Sequence, residues 1–320
     1  MSYNNKNVLV TGAAGISGHS MVKRLLDEGS HVRATVYTKR KLNLPKHKNL
    51  EIIKADLNSH NECLDITKDM DVVFNFVAFI RGAEGQIENQ VNLVRNNVVP
   101  TVNMLDACVK SKVDKVGFIG SSTMYPDADY PVKEEEGFVD NPHPAYFGVA
   151  WMKRYAEIVC NHFNNITDTK FSIIRTTAMY GPHDNFNDRG HVIPQLIMKA
   201  DSGMNPFEIW GDGKQIRDFT YVDDVIDALL LVTEKSNGRT YNVATGTPTT
   251  VTELVEAITD IYGYKPEFKY DLTKPTMIPK RVVDVSKIYE ELNWKAKHTL
   301  RDGLEKTIEW YKESSKSKYV

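Results

Sequence analysis

The chain has 320 residues, with 40 Lys and Arg against 42 Asp and Glu, so its formal net charge at pH 7 is −2. Charged residues make up 26% and hydrophobic residues 41% of the sequence, which is typical of soluble globular proteins and excludes a disordered chain. A nearly neutral chain has no bulk electrostatic attraction to nucleic acid or to an anionic membrane, so we expect neither partner. The length predicts about two domains or one large one.

The cysteines Cys63, Cys108 and Cys160 are too few and too scattered for a disulfide framework or a zinc site. We expect them to be small buried hydrophobic residues in a reducing compartment, and we expect no metal. The N-terminus reaches its first strand without a charged and then apolar leader. The longest apolar stretch, residues 72–80, is less than half a membrane span. These features predict a cytoplasmic protein without a membrane segment.

Short apolar runs alternate with segments of helical periodicity through the first half of the chain. The predicted strands are residues 6–11, 31–37, 50–55, 72–77, 115–119 and 171–176, and the predicted helices are residues 18–28, 61–68, 91–112 and 146–164. Apolar strands that alternate with helices indicate a parallel sheet covered on both faces. We therefore predict an α/β fold with a Rossmann-type doubly wound parallel sheet.

The rhythm changes after Tyr180. Residues 181–190 are rich in Gly, Pro, Asn and Asp, and shorter helices follow at 192–200, 222–233 and 251–262. This half predicts a smaller C-terminal α/β lobe that binds substrate. The expected division is a dinucleotide-binding domain at 1–178, with parts of about 215–245, and a substrate lobe at about 179–214 and 246–313.

A glycine-rich loop, TGAAGISG, connects the first strand to the first helix. Gly12, Gly15 and Gly18 allow a tight turn and let backbone N–H groups approach a diphosphate, and the helix N-terminus adds its partial positive charge. An ordinary glycine turn is the alternative, but the strand–loop–helix context favours a dinucleotide site that includes Ile16.

The end of the second strand bears on the type of cofactor. An NAD site usually has a carboxylate about 20 residues after the glycine loop. Here the strand ends in Thr38, Lys39 and Arg40, and a hydroxyl followed by cations suits a 2′-phosphate. We therefore expect NADP rather than NAD, with a solvated basic turn as the alternative.

Three further residues are expected to line the same cofactor site. Asp56 follows the third strand, where it can accept a hydrogen bond from the adenine amino group or cap the next turn. Leu57 and Ala78 are the other two.

Several ordered segments resemble the extended short-chain dehydrogenase/reductases that act on nucleotide-activated sugars. They are TGAAGISG, DVVFNFVA (71–78), GSSTMYP (120–126) and the tyrosine segment near 146. Residues 180–199, 210–224 and 274–294 are most similar to the GDP-fucose synthases, the GDP-4-keto-6-deoxymannose epimerase/reductases. The resemblance covers nearly the whole chain. It implies reduction of a GDP-4-keto-6-deoxy sugar, with or without epimerisation, in deoxysugar or polysaccharide biosynthesis.

Hydride exchange at a sugar carbonyl needs a proton donor beside the oxygen. The resemblance assigns this part to Tyr146, with Ser121 as a second hydroxyl on the same oxygen; a core tyrosine and a strand-end serine are the alternatives. His191 resembles the acid that protonates a sugar carbon during epimerisation, which suits a group that titrates near working pH; a capping or surface histidine is the alternative. Thr123 stands where the family has its cysteine base.

The resemblance also implies a set of substrate contacts. Lys199 and Arg217 fall where the family holds the diphosphate, and both side chains are good phosphate partners. Trp210 is expected to border the nucleotide. Asn185 and Arg281 complete the predicted substrate site.

Three departures from the family pattern bear on function. Ala150 stands four residues after Tyr146, where the family has a lysine that lowers the pKa of the tyrosine and binds the cofactor ribose. Lys153 shares the same helical face one turn further on, so it could approach the site or be a solvated lysine. Thr123 is a far weaker base than a thiolate, which puts 3,5-epimerisation in doubt. Ala178 replaces an asparagine expected to contact substrate.

These observations leave three functions open. The first is an NADP-dependent reductase, because a protonated tyrosine can still act as an acid without the family lysine. The second is a nucleotide-sugar 4-epimerase with retained NAD, and the third is a degenerate protein that binds cofactor and sugar nucleotide. By resemblance, helices 91–112 and 146–164 would form a four-helix contact in a homodimer.

Overall fold

A parallel sheet of seven strands runs through the computed structural model, which describes residues 3–37, 44–78, 90–187 and 190–316. Numbered along the chain, its strands are β1 (Asn7–Thr11), β2 (His31–Val36), β3 (Leu50–Lys54), β4 (Val72–Asn75), β5 (Lys115–Ile119), β6 (Lys170–Thr176) and β11 (Thr240–Val243). Their order is β3-β2-β1-β4-β5-β6-β11, and every neighbouring pair is parallel. The predicted Rossmann-type sheet is confirmed.

Helices cover both faces of this sheet. They are α1 (Ile16–Asp27), α2 (His60–Thr67), α3 (Gln90–Lys110), α4 (Phe147–Ile166) and α6 (Val222–Lys235). Alternate residues of β1 point to opposite faces. Val8 and Val10 join the core that contains α1 and α6, and Leu9 joins the core that contains α3 and α4. Burial on both faces explains the uninterrupted apolar strands in the sequence.

The rest of the chain forms three small sheets and four helices within the described residues. β7 (Ala178–Tyr180) pairs with β10 (Phe219–Tyr221), β8 (Phe207–Trp210) pairs with β13 (Phe268–Asp271), and β9 (Ile216–Arg217) lies between β12 (Thr249–Thr250) and β14 (Lys280–Arg281). The helices are α5 (Val192–Asp201), α7 (Val251–Tyr262), α8 (Ser286–Leu292) and α9 (Leu300–Lys316).

Local sequence signals set the ends of α7. Thr250 precedes the helix, and its hydroxyl accepts a hydrogen bond from the backbone N–H of Glu253. The Glu253 carboxylate accepts in return from the backbone N–H of Thr250, which completes a capping box. Gly263 ends the helix with a φ of 77°, a left-handed conformation that glycine adopts without strain.

A buried ion pair joins α4 to the central sheet. Arg175 of β6 donates two hydrogen bonds to Glu157, with Nη2–Oε1 at 2.5 Å and Nε–Oε2 at 3.1 Å. Arg175 also donates to the hydroxyl of Tyr125. Both charged side chains are nearly inaccessible to solvent, so each depends on the other for compensation of its charge.

The three cysteines are buried, and their thiols are free. Burial raises the pKa of Cys63 to about 12 and also raises the pKa of Cys108 and Cys160. In the described segments no helix is long and apolar enough to cross a bilayer. No three His, Cys, Asp or Glu side chains in those segments come together as a metal site.

Candidate active site

The glycine loop lies at the carboxyl end of β1, where the strand order reverses between β1 and β4. Gly12 has a φ of 63°, and a Cβ there would lie 3.0 Å from the carbonyl oxygen of Phe76. At Gly18, a Cβ would lie 2.3 Å from the carbonyl oxygen of Gly12. Neither position therefore accepts a side chain without moving backbone.

The N-terminus of α1 fits the diphosphate of a dinucleotide. Gly15 is its N-cap residue, no side chain caps the helix, and its first turn has no acidic residue. The backbone N–H groups of this turn and the helix dipole therefore face the loop without a protein anion to satisfy them. A diphosphate there would complete these bonds, as the position at the switch point of the sheet also indicates.

The expected contacts to the adenosine half are only partly described. Thr38, Lys39 and Arg40 lie outside the described residues. Asp56 Oδ1 accepts hydrogen bonds from the backbone and side chain of Asn58, so the carboxylate closes the turn that precedes α2.

Two other predicted cofactor residues lie at strand ends. Leu57 is buried, and its carbonyl accepts from the Asn103 side chain. Ala78 follows β4 and is half-buried.

Ser121 and Thr123 form a hydroxyl pair just after β5. Their Oγ and Oγ1 atoms are 2.9 Å apart, and Ser121 Oγ also accepts from the backbone N–H of Thr123 at 3.2 Å. Ser121 caps a 3₁₀ turn, Ser122–Met124, against which α4 packs. Thr123 therefore fixes the orientation of the predicted catalytic serine.

Tyr146 ends a 3₁₀ turn, Pro144–Tyr146, and stands at the N-cap of α4. Its side chain is half-buried, and its ring centroid is 6.5 Å from that of His143. Burial lowers the pKa of Arg281, and the nearby Tyr146 hydroxyl opposes this effect. The phenol and the guanidinium therefore belong to one electrostatic environment.

Arg217 and Arg281 lie side by side because β9 and β14 are parallel and in register. Arg217 donates to the carbonyl oxygens of residues 216, 276 and 278, and Arg281 donates to those of 125 and 126. Carbonyls orient a guanidinium without neutralising it. The Nε of Arg281 is buried and has no partner in the described part of the chain. Two adjacent cations of this kind can hold an anion such as a diphosphate.

Lys199 and Trp210 meet at Glu208. Lys199 Nζ lies 3.2 Å from Glu208 Oε1, and Trp210 Nε1 donates to the same oxygen at 3.1 Å. The ammonium of Lys274 lies 4.9 Å from the centre of the Trp210 ring. The sequence did not single out Glu208, because a carboxylate on a short strand carries no pattern of its own. Its charge compensates the lysine expected to bind phosphate.

His191 is exposed and occupies the N-cap position of α5 without a capping bond from its side chain. Its Nδ1 lies 4.0 Å from Oδ1 of Asp184, a mostly buried carboxylate whose pKa is raised by burial. Asn185 is exposed, and its side chain accepts from Asn187. The sequence did not indicate Asp184 as a partner of His191, since the two lie in a loop without periodicity.

Ala150 is fully buried, as expected for a residue on the inner face of α4. Lys153 is not the solvated lysine that the sequence allowed. Its side chain is partly buried, and its Nζ donates to the carbonyl oxygen of Ile119 at 2.8 Å.

Known proteins share this architecture over the whole chain. Residues 8–244 match the model of the NAD dependent epimerase/dehydratase family. The chain is 28% identical over 316 residues to the dTDP-4-dehydro-6-deoxy-D-allose reductase of Streptomyces sp, covering 96% of each chain. It is 27% identical over 325 residues to the GDP-L-fucose synthase of Escherichia coli (strain K12), covering 97% of each.

A solved structure shows the same likeness in three dimensions. MoeE5, determined in complex with UDP-glucuronic acid and NAD, is 31% identical and superposes with a TM-score of 0.83, covering 96% of this chain and 99% of MoeE5. The resemblance predicted from the sequence motifs is thereby confirmed. The chain belongs to the NAD-dependent epimerase/dehydratase family, among the extended short-chain dehydrogenase/reductases that act on nucleotide sugars.

Proposed function

We propose that this protein is an NADPH-dependent reductase of a nucleotide-activated 4-keto sugar, with GDP-4-keto-6-deoxy sugars as the expected substrate class. The observation that supports this most directly is the arrangement at the carboxyl end of β5. The Ser121–Thr123 hydroxyl pair lies against α4, and Tyr146 begins that helix. The uncapped α1 N-terminus lies at the same edge of the sheet.

The chemistry divides between cofactor and protein. The bound cofactor supplies a hydride to the keto carbon. Tyr146 donates its hydroxyl proton to the carbonyl oxygen, and Ser121 donates a hydrogen bond to the same oxygen as negative charge develops there. Thr123 holds the Ser121 hydroxyl in place. A phenol that keeps its proton at neutral pH suits this acid role, so the direction of reaction is reduction.

The second group of strands is the proposed site of the sugar nucleotide. Arg217 and Arg281 would bind the diphosphate, because neither charge is neutralised by a carboxylate bond in the described segments. Lys199 and Trp210 would border the nucleotide, with Lys199 shared between Glu208 and substrate. Asn185 would contact the sugar. The preference for NADP rests on Lys39 and Arg40.

Epimerisation would use His191 as the acid that protonates carbon, and Thr123 is a poor substitute for a thiolate base. We therefore expect reduction without 3,5-epimerisation. Reduction carried out in deuterated water tests this expectation. Deuterium at the sugar C3 or C5 of the product would contradict it.

Replacing Tyr146 tests the proposal. Tyr146→Phe should lower NADPH oxidation by a 4-keto sugar nucleotide at least about 100-fold while leaving NADPH affinity unchanged. Tyr155→Phe, an exposed tyrosine on the same helix, is the matched control and should retain full activity. Full turnover by Tyr146→Phe would refute the assignment of the proton donor.

The NAD in the MoeE5 complex favours a second candidate, a 4-epimerase that retains its NAD. The test is the nucleotide released when the purified protein is denatured. Stoichiometric NAD identified by mass spectrometry would support the epimerase, and an empty or NADPH-exchangeable site would support the reductase. A wild-type protein that binds NADPH but reduces no sugar nucleotide in a broad panel would support the degenerate binder.

An exposed apolar stripe on α4 supports the expected homodimer. Phe147, Trp151, Tyr155 and Ile158 recur at helical spacing on one face and are each 39–54% exposed. A two-fold contact that buried α3 and α4 against their copies would cover this stripe. Light scattering should give twice the mass of one chain, and Trp151→Glu should give a monomer.

A further inference from the structure

Lys153 is a cation in the site that the proposed mechanism does not use. It lies seven residues after Tyr146 on α4, and its Nζ donates to the carbonyl oxygen of Ile119, the last residue of β5. The same Nζ lies 5.1 Å from the centre of the Phe118 ring. The amine is thus held at the carboxyl end of β5, two residues before Ser121.

The surroundings of this amine are mostly apolar. Lys153 lines a cavity between the end of β4, α3 and α4, together with Val77, Thr101 and Val149. Burial lowers the pKa of Lys153 to about 8, with an opposing contribution from the Cys160 thiol. Lys153 forms no ion pair within the described residues. A desolvated ammonium is costly unless it binds something, which is the reason to look for a ligand.

The hydrogen-bonding capacity of the amine is not exhausted. An ammonium group has three N–H donors, and Ile119 accepts from one of them. The remaining donors can bind a ligand oxygen. A hydroxyl is the fitting acceptor, since it replaces lost water contacts at a site whose wall is otherwise hydrocarbon.

The strand order indicates which ligand would pass this point. A dinucleotide crosses the carboxyl ends of a doubly wound sheet at the switch point, here between β1 and β4. Its diphosphate belongs at the α1 N-terminus, and its adenosine half lies toward β2 and β3. The nicotinamide half must then extend over β4 toward β5, where Lys153 is anchored. Ala150, three residues earlier on the same helical face, offers only a buried methyl group.

We propose that Lys153 binds the ribose hydroxyls on the nicotinamide side of the cofactor, and so supplies from the next helical turn the cation that position 150 lacks. This inference rests on the proposed function for its link to catalysis, but the binding role is measurable without any substrate. It also explains how a chain with alanine at position 150 keeps a cation in its site.

The first experiment is an NADPH titration followed by fluorescence, without sugar nucleotide. Lys153→Met should weaken NADPH binding by about tenfold, the worth of a hydrogen bond to a charged group. The exposed Lys235→Met on α6 is the matched control and should bind with the wild-type Kd. A Kd for Lys153→Met equal to that of the wild type would overturn the proposal.

The second experiment needs no variant, so it decides the matter even if Lys153→Met does not fold. The wild-type protein is acetylated with acetic anhydride at pH 8, with and without saturating NADPH, and each lysine is quantified by mass spectrometry. NADPH should protect Lys153 at least about fivefold and leave Lys235 unaffected. Equal acetylation of Lys153 in both samples would refute the binding role.

The two proposals fail separately. If NADPH protects Lys153 but the wild type reduces no sugar nucleotide, the proposed function is wrong and the role of Lys153 stands. If the wild type reduces a 4-keto sugar nucleotide while Lys153→Met binds NADPH normally, the reductase stands and the role of Lys153 is refuted.

Discussion

Replacing Lys153 by methionine should change how the stability of the protein depends on pH. The ammonium is desolvated in the folded chain, where burial lowers its pKa to about 8, whereas in the unfolded chain it regains its ordinary value of 10.5. Between these two values the unfolded state binds more protons than the folded state. The free energy of unfolding of the wild type therefore rises with pH across this window, relative to a variant that lacks the amine.

The size of the effect follows from the two pKa values. Their difference corresponds to at most about 3 kcal/mol. Because the Lys153 side chain is only partly buried, solvent screening reduces the expected effect to about 1–2 kcal/mol. The lost hydrogen bond to Ile119 also affects the stability of the variant. The pH dependence of the difference is therefore the clean quantity.

Urea unfolding followed by circular dichroism measures this difference. Wild type and Lys153→Met are unfolded at pH 7 and at pH 10.5, and the wild type should gain about 1–2 kcal/mol relative to the variant between the two. Lys235→Met, whose side chain is exposed, should follow the wild type at both pH values. A stability difference between wild type and Lys153→Met that does not change with pH would refute the desolvation of the amine.

Three further predictions concern other parts of the chain. Glu157→Gln leaves Arg175 uncompensated in the core, so urea unfolding should show a loss of about 3–5 kcal/mol. Gly18→Ala places a Cβ 2.3 Å from the Gly12 carbonyl oxygen, so a titration should show an NADPH Kd raised at least about tenfold. Burial lowers the pKa of His183 from 6.5 to about 4, so stability should fall as pH drops through this range. His183→Asn, which keeps the left-handed backbone there, should flatten that fall by about 1 kcal/mol in melts at pH 7 and 5.

The strongest sequence predictions were those in which local pattern and burial coincide. Strands buried on both faces must be apolar along their whole length, so the runs at β1 and β4 could be read directly. The glycine loop could be identified because close backbone contacts at Gly12 and Gly18 exclude side chains. The capping box at Thr250 likewise fixed the start of α7 in the sequence.

The candidate site was harder to predict because its side chains come from distant segments. Spacing placed Lys153 on the face of Tyr146, but could not tell whether the amine met solvent or the Ile119 carbonyl. Lys199 could be identified as a phosphate partner, yet its pairing with Glu208 depends on the packing of α5 beside β8.

The order of residues alone determined the fold class, the dinucleotide loop and the family, since periodicity, glycine positions and ordered motifs are properties of the chain itself. Tertiary structure decided where charges meet. Register between β9 and β14 brought Arg217 beside Arg281, and the docking of α4 on β5 drew Lys153 away from water. Contacts of this kind depend on distances between remote segments, and desolvation depends on everything that packs around a group, so neither is encoded in any local pattern.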